Sequence, residues 1–300
     1  MKQQWDERNR GLVVGINDTL VHRDQAGISP FDSVVQGGDA VWEGLRLHGG
    51  RIFKLTEHLA RLRRSAQALA FTTVPCDEEI VARIRAVLAA NEMRDDVHIR
   101  LTLTRGVKIT SGMDPRLNTS GPTLIVLAEF KSPVYDDGGI SLVTSSVRRH
   151  RPDSLDPKIH HNNLLTSILA KVEANVAGAD DALMLDDNGF VAETNATHVF
   201  HVKDGVVRTS TTRACPEGIT RETILEICAA ADIPVEVGDY SLTEVYSADE
   251  VFVTGTMGGV TPVLTVDGRQ IGSGRPGPYV ARLAAGYSDR TAVEGTVVAG

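Results

Sequence analysis

The sequence has 300 residues, of which 42% are hydrophobic and 23% are charged, and its formal net charge is −8 at pH 7. These proportions are typical of a globular protein of about two domains, and they exclude a long low-complexity chain. The acidic balance gives no electrostatic reason to expect a nucleic acid or an anionic membrane as partner, so small-molecule chemistry is favoured.

The cysteines and the first residues indicate the compartment. Cys76, Cys215 and Cys228 are too few and too scattered for a disulfide framework, and the start MKQQWDERNR lacks the apolar segment of a signal peptide. No apolar run approaches the roughly 20 residues of a membrane-spanning helix. We therefore expect a cytoplasmic protein.

The first part of the chain predicts an α+β domain over residues 1–130. Short strands and turns fill residues 11–55, and an amphipathic helix follows in TEHLARLRRSAQAL, with Thr56 as its N-cap. A second helix starts at Asp77, and VHIRLTLTRG and PTLIVLAEF read as strands. KSPVYDDGG, residues 131–139, predicts a linker to a larger domain over residues 140–300.

The predicted second domain contains two segments that could bind an anion. LLTSILAKVEANVAG predicts a helix, and the turns at 187–189 and 203–205 predict hairpins. CPEGITRET leads from a glycine turn into a helix near Thr220, and DEVFVTGTMGGVTPV is a strand that ends in a glycine-rich turn. Both places present backbone N–H groups, although such segments are more often only turns.

The segment DPKIHHNNLL, residues 156–165, places Lys158 before two histidines and two asparagines. Adjacent histidines point in different directions along regular backbone, and no third ligand lies at a metal-site spacing. His160 and His161 are therefore expected to be polar loop residues, with no metal bound. Taken alone, Lys158 is most simply a solvated lysine.

Four motifs, in chain order, change that interpretation: Lys158 with NNLL, GFVAETNATHVFHVKDG, CPEGITRET and ADEVFVTGTMGGVTPV. Together they resemble the class IV aminotransferases, fold-type IV enzymes that use pyridoxal 5'-phosphate. VWEGLR, EHLARLRRSA and HIRLTLTRG resemble the branched-chain members. The resemblance implies an α/β protein with an α+β N-terminal domain, a larger C-terminal α/β domain and the cofactor between them. It also implies a homodimer in which the loop 106–118 helps to close the partner's site.

The resemblance implies a role for each cofactor-binding residue. Lys158 would form the Schiff base with the cofactor and then carry a proton, a role that suits an enclosed site. Glu193 would face the ring nitrogen, and its apolar surroundings predict an ionic partner. The phosphate would be bound by an arginine, a helix N-terminus and a hydroxyl-bearing turn: Arg61, Gly218, Ile219, Thr220 and Thr256.

Four positions depart from the branched-chain enzymes. Asn163 stands where a tyrosine usually hydrogen-bonds the cofactor's phenolic oxygen, and an amide could donate the same bond. Gly37 and His98 also stand at tyrosine positions, and Trp42, predicted to line the substrate pocket, replaces a phenylalanine. The expected pocket is therefore altered.

The resemblance places carboxylate-binding groups in two regions. L-selective members use backbone amides after the last Gly-Thr, here Thr256 and Met257. D-selective members use an arginine and a histidine of the N-terminal domain, for which His98, Arg100 and Arg116 are candidates. Arg100 also aligns with an arginine that helps to bind the second carboxylate of glutamate.

An apolar or branched-chain L-amino acid is the leading substrate prediction, with glutamate and 2-oxoglutarate as the exchange pair. The expected partners are an amino donor and a 2-oxo acid acceptor. A D-amino acid transaminase and an (R)-amine transaminase are open alternatives on the same scaffold, and an aminodeoxychorismate lyase is a weaker one.

Overall fold

A computed structural model describes residues 4–135 and 138–300. These residues form two compact units. The first unit comprises residues 4–132, Ile159–Asn163 and Thr291–Gly300, and the second comprises Pro133–Lys158 and Leu164–Arg290. Residues 1–3 of the predicted first domain and residues 136 and 137 of the predicted linker lie outside the described residues.

Up to residue 132 the chain alternates strands and helices. The helices are α1 (Ser33–Gly37), α2 (Leu55–Ala68) and α3 (Asp77–Ala90), with 3₁₀ turns at Glu7–Gly11 and Pro115–Leu117. The strands are β1 (Val13–Ile16), β2 (Thr19–His22), β3 (Ala40–His48), β4 (Arg51–Ile52), β5 (Val97–Thr104) and β6 (Thr123–Phe130).

The later part of the chain has four helices and ten strands among its described residues. The helices are α4 (Leu165–Ala177), α5 (Ile219–Ala230), α6 (Leu242–Tyr246) and α7 (Pro278–Val293). The strands are β7 (Ile140–Thr144), β8 (Asp181–Leu185), β9 (Val191–Thr194), β10 (His198–Lys203), β11 (Val206–Ser210), β12 (Val235–Gly238), β13 (Glu250–Gly255), β14 (Gly259–Val266), β15 (Arg269–Gln270) and β16 (Thr296–Val297). Within the described ranges, no helix is both long and apolar enough to cross a membrane.

The first unit contains one antiparallel sheet, which in the described residues has the strand order β16-β4-β3-β5-β6-β1-β2. Side chains on one face of β3, including Val41 and Leu45, form a core with Leu59 of α2 and Ile84 of α3. The opposite face of β3 is only partly buried. This alternation follows from the two-residue period of a strand, and it separates a core face from a face that is available for ligands.

Two later segments join the first unit, which the predicted boundary at residues 131–139 does not anticipate. Strand β16 pairs with β4, and Ile159–Asn163 runs beside β3. In the second pairing, the Trp42 N–H donates to the His160 carbonyl at 3.0 Å and the Asn162 N–H donates to the Ala40 carbonyl at 2.9 Å. Local periodicity carries no information about such long-range pairings.

The predicted N-cap of α2 is wrong. The helix begins at Leu55, so Thr56 lies in its first turn, and the cap position is Lys54. Lys54 adopts a left-handed conformation with φ 53° and makes no side-chain cap hydrogen bond. The tight turn from β4 into the helix therefore sets the start, and the propensity of threonine for caps does not.

The second unit contains a mixed sheet whose order, among the described strands, is β12-β11-β10-β13-β14-β7-β8-β9, with β15 beside β14. The pairs β11–β12, β14–β7 and β7–β8 are parallel. Both predicted hairpin turns are present, with Gly189 at φ 86° and Gly205 at φ 78°. The predicted α/β class is confirmed.

Burial of His201 on β10 predicts a pH-dependent stability. Its side chain is 3% exposed and lies edge-on to the Tyr240 ring. Burial, assisted by the charge of Arg208, lowers the pKa of His201 to about 4. The unfolded chain binds a proton near pH 6.5 and the folded protein does not, so stability falls as the pH decreases from about 6.5 to about 4.

We expect this histidine to remove about 2 kcal/mol of the free energy of unfolding between pH 7.5 and pH 5. Urea unfolding of His201→Leu at both pH values should show a loss smaller than that of the wild type by this amount. Replacement of the exposed His22 by Gln is the matched control and should keep the wild-type difference. An unchanged difference in His201→Leu would contradict the lowered pKa.

Candidate functional site

Lys158 lies in the second unit, directly after the buried Pro157. Its backbone N–H donates to Asp156 Oδ1 at 2.9 Å, and its Nζ is 3.8 Å from Glu217 Oε1. The Lys158 side chain is 47% exposed, which differs from the enclosed setting expected from the sequence. Within its own unit, the amine is therefore accessible and lies beside the residue that precedes Gly218.

The N-terminus of α5 has the character of an anion site. Gly218 occupies the cap position, and no side chain of the described residues caps the helix. The first N–H groups of a helix have no intrahelical acceptor, and the helix dipole favours an anion there. A Cβ atom at Gly218 would lie 2.2 Å from the His198 ring, so only glycine fits. This geometry suits the predicted roles of Gly218, Ile219 and Thr220.

Glu193, on β9, is buried and has the ionic partner that its surroundings predict. Arg149 Nη2 lies 2.7 Å from Glu193 Oε1, and both side chains are largely buried. Arg149 also donates from Nη1 to Ser167 Oγ at 3.1 Å and from Nε to the Ala214 carbonyl at 3.3 Å. A neighbouring guanidinium favours the charged carboxylate. Arg149 stands in the run VRRHRP, where nothing in the sequence distinguishes it from its neighbours.

A grouping of Glu193, His198 and Cys215 has the spacing of a metal site, since one possible ligand atom from each lies within 4.8 Å of the others. Burial raises the pKa of the Cys215 thiol, which keeps the sulfur protonated. Arg149 already supplies a positive charge beside Glu193. A protonated thiol and a competing cation both disfavour a metal ion at this place.

The predicted carboxylate-binding residues Thr256 and Met257 lie in the turn between β13 and β14. Gly258 follows them, and a Cβ atom there would lie 2.9 Å from the Tyr135 ring, so the turn is packed against this tyrosine. Just before the turn, the buried Thr254 Oγ1 has no hydrogen-bond partner among the described residues. A supported turn next to an unpaired hydroxyl suits a polar ligand.

In the first unit, the Arg61 guanidinium pairs with both carboxylate oxygens of Glu43. Nε is 2.8 Å from Oε1 and Nη2 is 2.7 Å from Oε2. Nδ1 of His58 is 2.7 Å from Oε2, and Nδ1 of His160 is 3.5 Å from Oε1. Burial by itself would raise the pKa of Glu43, but the charges of Arg61 and His160 hold it well below its usual value. Sequence reasoning identified Arg61 and missed Glu43.

A group of four residues on the outer face of the first sheet includes two predicted substrate-binding residues. The Arg100 guanidinium lies 3.4 Å from the centroid of the Trp42 ring and donates to Asn162 Oδ1 at 2.8 Å. His160 stacks on the same ring, with 4.2 Å between centroids. Burial lowers the pKa of Arg100 to about 10, so it stays cationic at neutral pH. We call these four residues the Trp42 cluster.

His98 pairs in register with Arg46 on the same face of the sheet. Burial lowers the pKa of His98 to about 3, and the positive charges of Lys131, Arg100 and Arg46 add to the effect. The ring is therefore neutral near pH 7. Its Nδ1 is buried and has no hydrogen-bond partner among the residues that the structure describes. A neutral, unpaired imidazole nitrogen can accept from or donate to a ligand.

Asn163 and Arg116 have local partners. Asn163 Nδ2 donates to the Gly38 carbonyl at 3.2 Å, which uses one donor of the amide predicted to meet the cofactor. The Arg116 side chain is 90% exposed and forms an ion pair with Asp114 of its own loop. In the described part of the chain, no hydrogen bond or ion pair joins Arg116 to the Trp42 cluster.

The groups in the second unit match the chemistry of the predicted cofactor. An accessible amine suits its aldehyde, a paired carboxylate suits its protonated ring nitrogen, and a helix N-terminus suits its phosphate. The first unit adds a buried guanidinium that is a second candidate for the phosphate. The donor set therefore fits pyridoxal phosphate.

Comparisons with known proteins agree with this chemistry. A family model described as amino-transferase class IV matches residues 40–266. The chain is 55% identical over 284 residues to branched-chain-amino-acid aminotransferase-like protein 2 of Arabidopsis thaliana, covering 94% of this chain and 51% of that protein. It is 33% identical over 282 residues to the D-alanine aminotransferase of Listeria innocua, covering 91% and 93%.

A solved structure is also similar. It is the branched-chain amino acid aminotransferase of T.th. complexed with N-(5'-phosphopyridoxyl)-L-glutamate, with a TM-score of 0.87, 33% identity and 94% of each chain covered. The chain spans about half the length of the two Arabidopsis relatives.

Proposed function

The chain belongs to the class IV aminotransferases, which use pyridoxal phosphate, and on this premise we propose that it exchanges amino groups between an apolar or branched-chain L-amino acid and 2-oxoglutarate. The observation that carries the proposal is the set of groups in the second unit: Lys158, the N-terminus of α5, and Glu193 with Arg149. An amine, an anion site and a paired carboxylate are what this cofactor needs.

In this proposal, each of these groups has one task. The bound cofactor withdraws electrons from the substrate Cα. Lys158 attaches the cofactor and later moves the proton at Cα. Glu193, kept charged by Arg149, accepts the hydrogen bond of the ring nitrogen. The N–H groups of the Gly218–Thr220 segment, the Thr256 turn and the Arg61 guanidinium bind the phosphate.

The Trp42 cluster supports an apolar substrate with an occasional second carboxylate. The Trp42 ring offers an apolar wall, and Arg100 beside it offers a cation for glutamate. The backbone of Thr256 and Met257 would bind the α-carboxylate. We propose that Asn163 donates its remaining amide hydrogen to the cofactor's phenolic oxygen.

A D-amino acid transaminase is the second candidate function, because His98 and Arg100 lie on the same face of one strand. Together, a neutral imidazole nitrogen and a guanidinium could bind an α-carboxylate from the first unit, with Arg116 as a further candidate. The resemblance to a protein named D-alanine aminotransferase is consistent with this candidate. A D-selective site would bind the α-carboxylate on a different side from the Thr256 turn.

Half-reactions decide between the candidates. The pyridoxal form is mixed with L-leucine, L-glutamate, D-alanine, D-glutamate or (R)-1-phenylethylamine, and the loss of its visible absorbance is followed. We expect fast conversion by L-leucine and L-glutamate, and conversion about a hundredfold slower by D-alanine, since a misplaced α-carboxylate loses charged hydrogen bonds. Conversion by D-alanine but not L-leucine would overturn the substrate proposal. Release of pyruvate without an amino acceptor would indicate a lyase.

We also propose a cytoplasmic homodimer. Helix α4 exposes an apolar stripe with helical spacing: Leu165, Ile168, Leu169, Val172 and Val176. The loop 106–118 exposes Ile109 and Met113, in keeping with its proposed place at a partner's site. Apolar surface of this kind is typical of an interface. Three free cysteines are consistent with a reducing compartment.

A further inference from the structure

Glu43 is a charged residue in a row of apolar ones. Along β3, the neighbouring residues on its face are Val41, Leu45 and Leu47, and all four side chains are fully buried. A buried carboxylate is unfavourable unless charged partners compensate for the loss of water. The contacts of Glu43 should therefore explain why a carboxylate occupies this position.

Those contacts join three segments of the first unit. Arg61 of α2 donates two bonds, from Nε and Nη2, to the two carboxylate oxygens. His58, one turn earlier on α2, contacts Oε2, and His160 of the segment after Lys158 lies near Oε1. Each oxygen thus contacts both Arg61 and one histidine.

The two bonds to Arg61 fix an orientation as well as a charge. A guanidinium is planar, and a carboxylate that binds two of its nitrogens prevents rotation of the plane. The edge formed by Nε and Nη2 faces Glu43, so the direction of the opposite edge is set. An arginine that must bind a phosphate benefits from this restraint, because less side-chain entropy is lost on binding.

We propose that Glu43 is a positioning residue for the cofactor, which holds the Arg61 guanidinium in the orientation that binds the cofactor's phosphate. The proposal rests on the phosphate role assigned to Arg61 under the proposed function. It differs from a purely structural role of Glu43 because it predicts an effect that depends on the phosphate group.

The test compares pyridoxal phosphate with pyridoxal, which has the same aldehyde and ring but no phosphate. Apoprotein of the wild type and of Glu43→Gln is titrated with each, and binding is read from the visible absorbance. We expect Glu43→Gln to bind pyridoxal phosphate about ten- to hundredfold more weakly, and pyridoxal within about twofold of the wild type. Equal weakening of both, or of neither, would overturn the proposal.

Arg61→Met and the double variant Glu43→Gln/Arg61→Met complete the cycle. If Glu43 acts through Arg61, the double variant binds pyridoxal phosphate as weakly as Arg61→Met alone. Additive losses would contradict the proposal. If Arg61→Met binds the cofactor as the wild type does, the phosphate assignment of Arg61 itself is wrong. If Arg61→Met binds more weakly and Glu43→Gln does not, only the role of Glu43 is wrong.

Two further variants control for folding. Glu250→Gln changes another buried glutamate, which accepts from the backbone N–H groups of Tyr279 and Val280, and should leave the affinity ratio of the two ligands unchanged. If Glu43→Gln does not fold, Glu43→Asp keeps the charge but withdraws the oxygens by one methylene. It should show the same dependence on phosphate with a smaller loss, and an unchanged affinity ratio would contradict the proposal.

Discussion

Replacement of Lys158 by alanine is expected to abolish covalent attachment of the cofactor and to reduce transamination about ten-thousandfold or more. The variant lacks both the amine that attaches the cofactor and the base that moves the proton at Cα. Because the Lys158 side chain is 47% exposed, its loss should leave the thermal stability of the apoprotein unchanged. The measurements are the visible spectrum with added pyridoxal phosphate and the rate with L-leucine and 2-oxoglutarate.

Lys203→Ala is the matched control, since Lys203 is also a partly exposed lysine of the second unit and pairs with Asp249 beside a hairpin turn. It should bind and react as the wild type does. A visible spectrum of Lys158→Ala that matches the wild-type spectrum would refute the role of Lys158, whatever the substrate.

Glu193→Gln is expected to reduce kcat about a hundredfold or more, because the amide cannot keep the ring nitrogen of the cofactor protonated. It should also destabilise the apoprotein by about 3–5 kcal/mol, since it leaves the buried Arg149 without its carboxylate. The two effects have different causes and can be separated.

The double variant Glu193→Gln/Arg149→Met separates them. It removes both charges, so it should recover most of the lost stability in urea unfolding while kcat stays low. Recovery of kcat together with stability would show that the carboxylate has only a structural role. The same outcome would exclude Glu193 as the partner of the ring nitrogen.

The residues that sequence reasoning could identify are those that belong to local motifs. Gly218 and Thr220 stand in a turn that leads into a helix, and the structure has that turn and that helix. The ionic partner of Glu193 was expected from its apolar neighbours, and the structure identifies it as Arg149. Its identity depends on the fold, because 44 residues separate the two along the chain and VRRHRP contains three arginines.

Glu43 was also missed, although a signal for it existed. In AVWEGLRLH the glutamate falls on the same alternate positions as Val41, Leu45 and Leu47, which puts a charge at a core-facing position. A charge at such a position needs partners, and this reasoning could have led to Arg61. The return of residues 159–163 to β3 had no such signal, since backbone pairing at this distance leaves no local pattern.

The antiparallel pairing of β16 with β4 makes the first unit depend on residues that the ribosome adds last. Val298 enters the core of that unit, and its N–H and that of Ala299 donate to the Gly50 carbonyl. Nearly 250 residues separate Gly50 from these partners, so the loop they close is long and its pairing is slow to form. During synthesis, the edge of β4 therefore stays open for strand pairing with other chains until almost the whole of this sequence has left the ribosome.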